Sequence, residues 1–137
     1  MSSSTTLTPR EVLARMHELT VTDEAAAVDL YAENAVHEIP FAPAGAPARI
    51  EGREALRRMM DAQGGQSPVK YQGFENVQVW ETTDPEVIIA EYEVVGIVVS
   101  TGAGFRIPQL LILRVRDGKI LLSRGYLNPG QFAELLA

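Results

Sequence analysis

Two histidines, His17 and His37, are the only side chains among these 137 residues that ordinarily titrate near neutral pH. An unperturbed imidazole changes charge near about 6.5 and can give or take a proton there. His37 lies in Ala35–Phe41, where Val36, Glu38 and Pro40 alternate with His37, Ile39 and Phe41, a pattern that suits a short strand. On such a strand His37 shares a face with Ile39 and Phe41, and Glu38 points the other way. Only a bulge would bring His37 and Glu38 into one site, so Glu38 reads as an exposed or interface carboxylate. His37 is the first candidate for acid–base work, against the plainer reading of a hydrogen-bonded structural histidine. His17 stands among Met16, Glu18 and Leu19 and is expected on the surface of the first helix.

Glu91 and Glu93 share one strand face, with Tyr92 on the other. Inside an apolar wall desolvation would raise a carboxylate's pKa and make it a general base, and two close carboxylates would interact further. The alternative is an ion pair with Arg106 or Arg114 on the neighbouring strand. Tyr31, Tyr92 and Tyr126 are candidates to orient a ligand through their hydroxyls, or else core tyrosines with one wet end.

Other chemistries are excluded by what is missing. The chain has no cysteine, which removes disulfides, thiolate nucleophiles and Cys-ligated metals. Two distant histidines and no His-Glu-x-x-His leave no metal-ligand set. No Gly-rich phosphate loop follows a strand, and there is no Gly-x-Ser-x-Gly elbow. No metal and no nucleotide cofactor are therefore expected. A net charge of −6 disfavours nucleic acid, and the basic cluster Arg53, Arg57 and Arg58 is interrupted by Glu54. No apolar run approaches the roughly 20 residues of a membrane span. Met1–Thr8 is polar, without the apolar core of a signal peptide. A soluble cytoplasmic protein is the expectation.

Residues 1–8 read as a flexible tail and 9–137 as one domain. Thr8-Pro9-Arg10-Glu11 predicts a capped helix start. Val12, Leu13, Met16 and Leu19 give it a buried stripe. Ala26, Ala27, Leu30 and Tyr31 continue as a second short helix. Pro43–Pro47 is a loop and Arg49–Glu51 a small strand. A third helix spans Arg53–Ala62 and ends at Gly64-Gly65. Strands follow at Val69–Trp80, Val87–Ser100, Phe105–Arg116 and Lys119–Tyr126, with turns at Thr82–Pro85, Thr101–Gly104 and Asp117-Gly118. Gln131–Leu136 can close the chain as a short helix. Three helices before hairpin-linked strands predict an α+β domain, with the helices packed on a curved antiparallel sheet. Val94–Val99 and Leu110–Leu113 are apolar at nearly every residue, so both sheet faces are expected to be covered. The helices cover one, and a second copy of the chain is expected on the other.

This order of elements resembles the nuclear-transport-factor-2-like superfamily, whose small-molecule members include SnoaL-like cyclases and ketosteroid isomerase. The residues carrying the resemblance are Leu30–Phe41, Ile50–Glu54, Asp117–Ile120 and Arg124–Pro129. Within the superfamily the chain is most similar to the phenazine-biosynthesis A/B proteins, through Trp80–Pro85 and Arg124-Gly125-Tyr126-Leu127-Asn128-Pro129. Where those proteins carry an acidic residue after the arginine, this chain has Gly125. The resemblance implies a strongly curved, cone-shaped sheet around a pocket for a small apolar organic molecule. It puts the His37 face on that pocket, with Tyr31, Ile39, Phe41, Tyr92, Leu111 and Tyr126 as ligand contacts. It also places the ketosteroid isomerase base at Ile39, the oxyanion-hole tyrosine near Arg15 or Met16, and the protonated aspartic acid near Leu111. None of these side chains keeps that chemistry. The resemblance thus implies a cofactor-free isomerase, cyclase or condensing enzyme using His37, or Glu91 or Glu93. The rival is a non-catalytic binding or assembly module on the same fold.

Overall fold

The first helix is fixed by its cap. The Thr8 hydroxyl accepts from the Glu11 backbone N–H at 3.2 Å, and Glu11 Oε1 accepts from the Thr8 N–H at 2.9 Å. With Pro9 at the first helical position, this reciprocal pair starts α1, Pro9–Thr22. The computed structural model describes residues 6–42, 44–63 and 67–135. The Gly64-Gly65 helix stop, Pro43, Leu136 and the first five residues of the tail lie outside them.

After α1 come α2, Glu24–Ala27, a 3₁₀ turn over Val28–Leu30, and β1, Tyr31–Glu38. The sequence pattern placed Tyr31 on the second helix and began the strand at Ala35. The strand instead starts at Tyr31, because the helix ends at the 3₁₀ turn. At its far end Ile39 still donates to the Ala48 carbonyl at 2.8 Å, but the Ala42 N–H turns back to the Ile39 carbonyl at 2.9 Å. Pro40 has no N–H to continue a ladder, and the turn carries Phe41 off the strand. Next are β2, Arg49–Glu51, α3, Arg53–Gln63, and the strands β3, Val69–Glu81, β4, Val87–Val98, β5, Gly104–Arg116, and β6, Lys119–Leu127. A last helix, α4, spans Pro129–Leu135. The β5–β6 hairpin turns at Asp117 and Gly118 with φ of 53° and 76°, the two positive values a tight two-residue turn needs.

The six strands form one sheet in the order β2-β1-β6-β5-β4-β3. Every pairing is antiparallel except β1 with β6, which is parallel. The sheet is therefore mixed rather than wholly antiparallel: β1 is reached from the far end of the chain, so no hairpin dictates its direction. Helix α1 packs against β3, β4 and β5, and α3 against β1. The inner face they cover holds the core, with Leu113 and Ile120 fully buried. Two registers define the faces. Ile88, Leu113, Ser123 and His37 form one inward row across β4, β5, β6 and β1. Trp80, Ile89, Ile112, Arg124 and Glu38 form the outward row beside it. The doubly apolar strands resolve accordingly: Val94 and Leu111 are buried inside, while Val95, Leu110 and Ile112 stay half-buried on the outer face. No helix among the described residues is long and apolar enough to cross a membrane.

Candidate functional site

Between α1 and the inner face of the sheet lies a cavity of about 250 Å³. Helix α1 contributes Met16, His17 and Thr20, and the β1 region contributes Tyr31, His37 and Ile39. Tyr71 and Phe74 enter from β3, and Tyr92 and Val94 from β4. Phe105, Ile107, Gln109 and Leu111 line it from β5, and Ser123, Gly125 and Leu127 from β6. Among the described residues, no Lys, Arg, Asp or Glu side chain lines it.

Two bulges shape this wall. Tyr71 pairs with Gly96 and Gly73 with Val95, so β3 holds one extra residue there. That extra residue lets Tyr71 and Phe74, three apart, face the same side. A second irregularity, between Glu75 and Gln78, contains Asn76 at φ 54°. Across from Tyr71, the Phe105 ring lies over Gly96, where a Cβ would sit 2.8 Å from Phe105 Cζ and 2.3 Å from the Lys70 carbonyl oxygen. A bare glycine is what lets that ring close the end of the cavity.

His37 occupies the position expected of it. Its ring stands edge-on to Tyr31, centroids 6.3 Å apart. Its Nδ1 is buried with no hydrogen-bond partner among the described residues. Desolvation lowers its pKa, which keeps the ring neutral. Burial raises the Tyr31 phenol, opposed by a hydrogen bond with Ser123.

His17 is not on the surface. It stacks flat on Phe74 at 3.9 Å between centroids, inclined by 7°, and meets Tyr92 edge-on at 4.5 Å. Its Nε2 is buried and unpartnered, and desolvation lowers its pKa to about 4. A signal for this was present in the sequence: His17 follows the buried Leu13 by four residues and precedes Thr20 by three, so all three share a helix face. Gln109 was also missed. A Cβ at Gly125 would stand 3.0 Å from Gln109 Nε2, so the amide occupies the space beside the missing side chain.

The other expectations divide cleanly. Tyr31, Ile39, Tyr92 and Leu111 line the cavity. Phe41 and Tyr126 do not: Phe41 is 56% exposed and meets Tyr126 edge-on at 5.7 Å outside it. Tyr126 pairs with Leu110, an outward position, and the turn after Ile39 removes Phe41 from the His37 face. Glu91 and Glu93 are likewise outward, because Tyr92 between them is the inward residue. Glu91 is exposed; Glu93 accepts from Arg106 Nη1 at 3.0 Å and from the Asn76 amide. Neither reaches the cavity, so neither serves as a base there. Arg114 pairs with Asp84 at 3.1 Å and Glu86 at 2.9 Å instead. Glu38 faces outward between Arg124, 2.7 Å away, and Arg49, 2.5 Å away. The Arg124 hydrogen bond, with Arg49 behind it, lowers its pKa. Among the described residues, no three His, Asp or Glu side chains gather into a metal-ligating cluster.

Comparison with known proteins agrees with this architecture. The profile of the SnoaL-like domain family matches residues 12–122. The chain is 36% identical over 101 residues to the uncharacterized protein YesE of Bacillus subtilis, covering 74% of this chain and 67% of that one. It is 36% identical over 108 residues to the uncharacterized PhzA/B-like protein PA3332 of Pseudomonas aeruginosa, covering 79% and 74%. Among solved structures, a Bacillus subtilis protein provisionally assigned as an isomerase superposes with a TM-score of 0.84 at 30% identity, over 93% of this chain and 91% of that one. A phenazine biosynthesis-related protein of Pseudomonas aeruginosa shares the fold, with a TM-score of 0.77 at 22% identity over 93% and 84%. With the helices, the curved sheet and the cavity between them in place, the chain belongs to the SnoaL-like domain family.

Proposed function

We propose that this protein binds a small, largely apolar organic molecule in the cavity and acts on it as a cofactor-independent isomerase, cyclase or condensing enzyme of secondary metabolism. One observation carries this: a neutral His37 that lines an apolar wall, with no hydrogen-bond partner among the described residues on either ring nitrogen. A neutral imidazole can take a proton from a bound molecule and return it at another atom. The isomerase assignment and the phenazine-related name of similar proteins support the same class of chemistry. Ile39 and Leu111 stand in the wall where the resemblance puts the steroid isomerase base and aspartic acid, and neither side chain moves a proton. The chemistry is therefore not classical steroid isomerisation.

The test compares wild type with His37→Ala. Both are purified, denatured and extracted, and the retained small molecules identified by mass spectrometry. Each protein is then incubated with the recovered compound and its conversion followed. The variant should retain and convert less while melting close to wild type. A clearly destabilised variant with unchanged retention and conversion would show that His37 is structural.

A second reading is a non-catalytic binding module on the same fold. It is favoured by the lack of any carboxylate among the described lining residues. Retention without conversion in the same experiment supports it. In either case the protein works as a homodimer joined through the outer sheet face, where Trp80 is 45% exposed beside half-buried Ile89 and Ile112. Sedimentation that reads a monomer at every concentration overturns the dimer.

A further inference from the structure

The cavity is lined by a second histidine, and among the described residues neither has a hydrogen-bond partner. His17 lines it from α1 and His37 from β1. His17 Nε2 and His37 Nδ1 are packed in the wall, and the other nitrogen of each ring, which is not buried there, has no hydrogen-bond partner among the described residues either. Their rings do not lie in open space. His17 is held flat on Phe74 and edge-on to Tyr92, and His37 stands against Tyr31. Aromatic contacts of this kind fix ring orientation without using the nitrogen atoms. A ligand that dries an accessible nitrogen without pairing it loses affinity, and one that pairs it gains.

The rest of the wall restricts the ligand. On the outer face of the sheet Arg124 and Arg49 are engaged by Glu38, Arg106 by Glu75 and Glu93, and Arg114 by Asp84 and Glu86, while Arg53 donates to the Tyr31 carbonyl and does not line the cavity. A charged ligand would leave water without meeting a counter-charge. Burial holds His17 neutral near neutral pH, so it supplies no cation. Beside Gly125 the wall is the Gln109 amide, which is neutral. The volume, about 250 Å³, is below the roughly 300–1,000 Å³ of pockets for drug-sized ligands. Phe74, Tyr92 and Phe105 present aromatic surface to it.

We infer that the cavity selects an uncharged, flat molecule of about the size of a fused bicycle, with a hydroxyl or carbonyl group at each of two edges, one paired with His17 and the other with His37. His17 is then a specificity-determining residue. A neutral imidazole has one donor and one acceptor nitrogen, so either kind of group can be matched by choice of tautomer. This inference rests on the ligand-binding reading of the cavity given above.

Calorimetric titration of the full chain at neutral pH tests it with three probes: naphthalene-2,6-diol, 2-naphthol and 2-naphthoate. The diol should bind about tenfold tighter than naphthol, the value of one additional satisfied hydrogen bond. Naphthoate, of nearly the same shape but charged, should bind weakest. His17→Phe keeps the stack on Phe74 and removes the nitrogen; it should bring the diol down to the affinity of naphthol while changing naphthol little. His17→Gln, which still donates and accepts, should restore part of the diol preference, a rescue that a purely structural role would not produce. Naphthoate binding as tightly as the diol, or a diol affinity unaltered by His17→Phe, overturns the inference and leaves the binding reading standing. If none of the three binds, the cavity is not a ligand site and both fall. The ranking of the probes on wild type decides the matter even if His17→Phe does not fold.

Discussion

His37 and Glu38 are neighbours in the chain, one residue apart on the same strand, and they live in opposite chemical worlds. His37 faces inward, neutral and unpartnered, against a row of Ile88, Leu113 and Ser123. Glu38 faces outward, ionised, between Arg49 and Arg124. The whole sheet repeats this division. Outside, Glu93 and Glu86 are matched to arginines, and the Arg116 and Arg114 bonds pull Glu86 down to about 2. Inside, no charged side chain lines the cavity among the described residues. Charge is tolerated where water screens it and partners are in reach, and is kept out where desolvation would dominate. The inner face is thus a largely apolar wall with a few neutral polar groups, and the outer face carries the ion pairs that link neighbouring strands.

The largest expected difference between the faces is in packing. Leu113 is 0% exposed and Ile112, its neighbour, is half-buried on the outside. Leu113→Ala should cost about 2–5 kcal/mol, since it removes contacts and leaves a cavity the core cannot close. Ile112→Ala should cost less than half as much at low concentration, where the chain is monomeric and water can fill the space, and more as concentration rises and the proposed homodimer covers this face. Urea denaturation of both variants checks this. An Ile112→Ala loss that stays small and does not change with protein concentration would overturn the proposed homodimer.

A smaller effect follows from the inward histidines. The unfolded chain takes up a proton on His17 near 6.5, but the folded chain only near 4. Above pH 6.5 neither state is protonated and His17 has no effect on stability. As pH falls from 6.5 toward 4 the unfolded state binds more protons, so stability falls, by roughly 3 kcal/mol if the whole shift is realised. Below 4 both states are protonated and the loss stops growing. His37 is shifted in the same direction and adds to it. The other titratable residues of the wall are His37, Tyr31, Tyr71 and Tyr92; burial raises the three phenols, so they stay neutral throughout this window. Denaturation curves at stepped pH should show the decline in wild type and a shallower one in His17→Phe. An identical slope in both would mean that His17 is solvated.

What the sequence disclosed about these two faces follows from what is local. The Thr8–Glu11 capping box, the Asp117-Gly118 turn and the strands flanking it are decided by a few adjacent residues, and they appear where the pattern put them. Glu38 opposite His37 needed only the period of two. The site needed more. Tyr71 and Phe74 share a face only because β3 holds an extra residue, and no propensity marks that bulge. Phe41 leaves the His37 face because the chain turns after Ile39, which alternation alone does not register. Treating Glu91 and Glu93 as candidate bases required knowing which side of β4 is inside, and a two-sided apolar strand withholds that. His17 was legible, through Leu13 four residues before it, but a histidine beside Glu18 reads first as a surface residue.

The smallest effect expected is at Glu38 itself, and it sharpens the comparison most directly. Glu38→Gln removes a carboxylate that accepts from Arg124 and Arg49, and leaves a side chain of nearly the same shape. Arg49 is half exposed and also pairs with Glu51 at 2.8 Å, so it keeps a partner; Arg124 does not keep this one. The Glu38 side chain is itself 17% exposed, but both arginines reach water, so the pairs contribute modestly and salt weakens them. The melting temperature should therefore drop slightly at low ionic strength, and the difference should shrink as salt is added. Because the carboxylate points away from the cavity, binding of naphthalene-2,6-diol should be unchanged. His37→Phe, one residue away, should weaken that binding. A Glu38→Gln variant that loses diol affinity while its salt-dependent melting matches wild type would mean the two faces are coupled through β1, and that the division drawn between them at His37 and Glu38 does not hold.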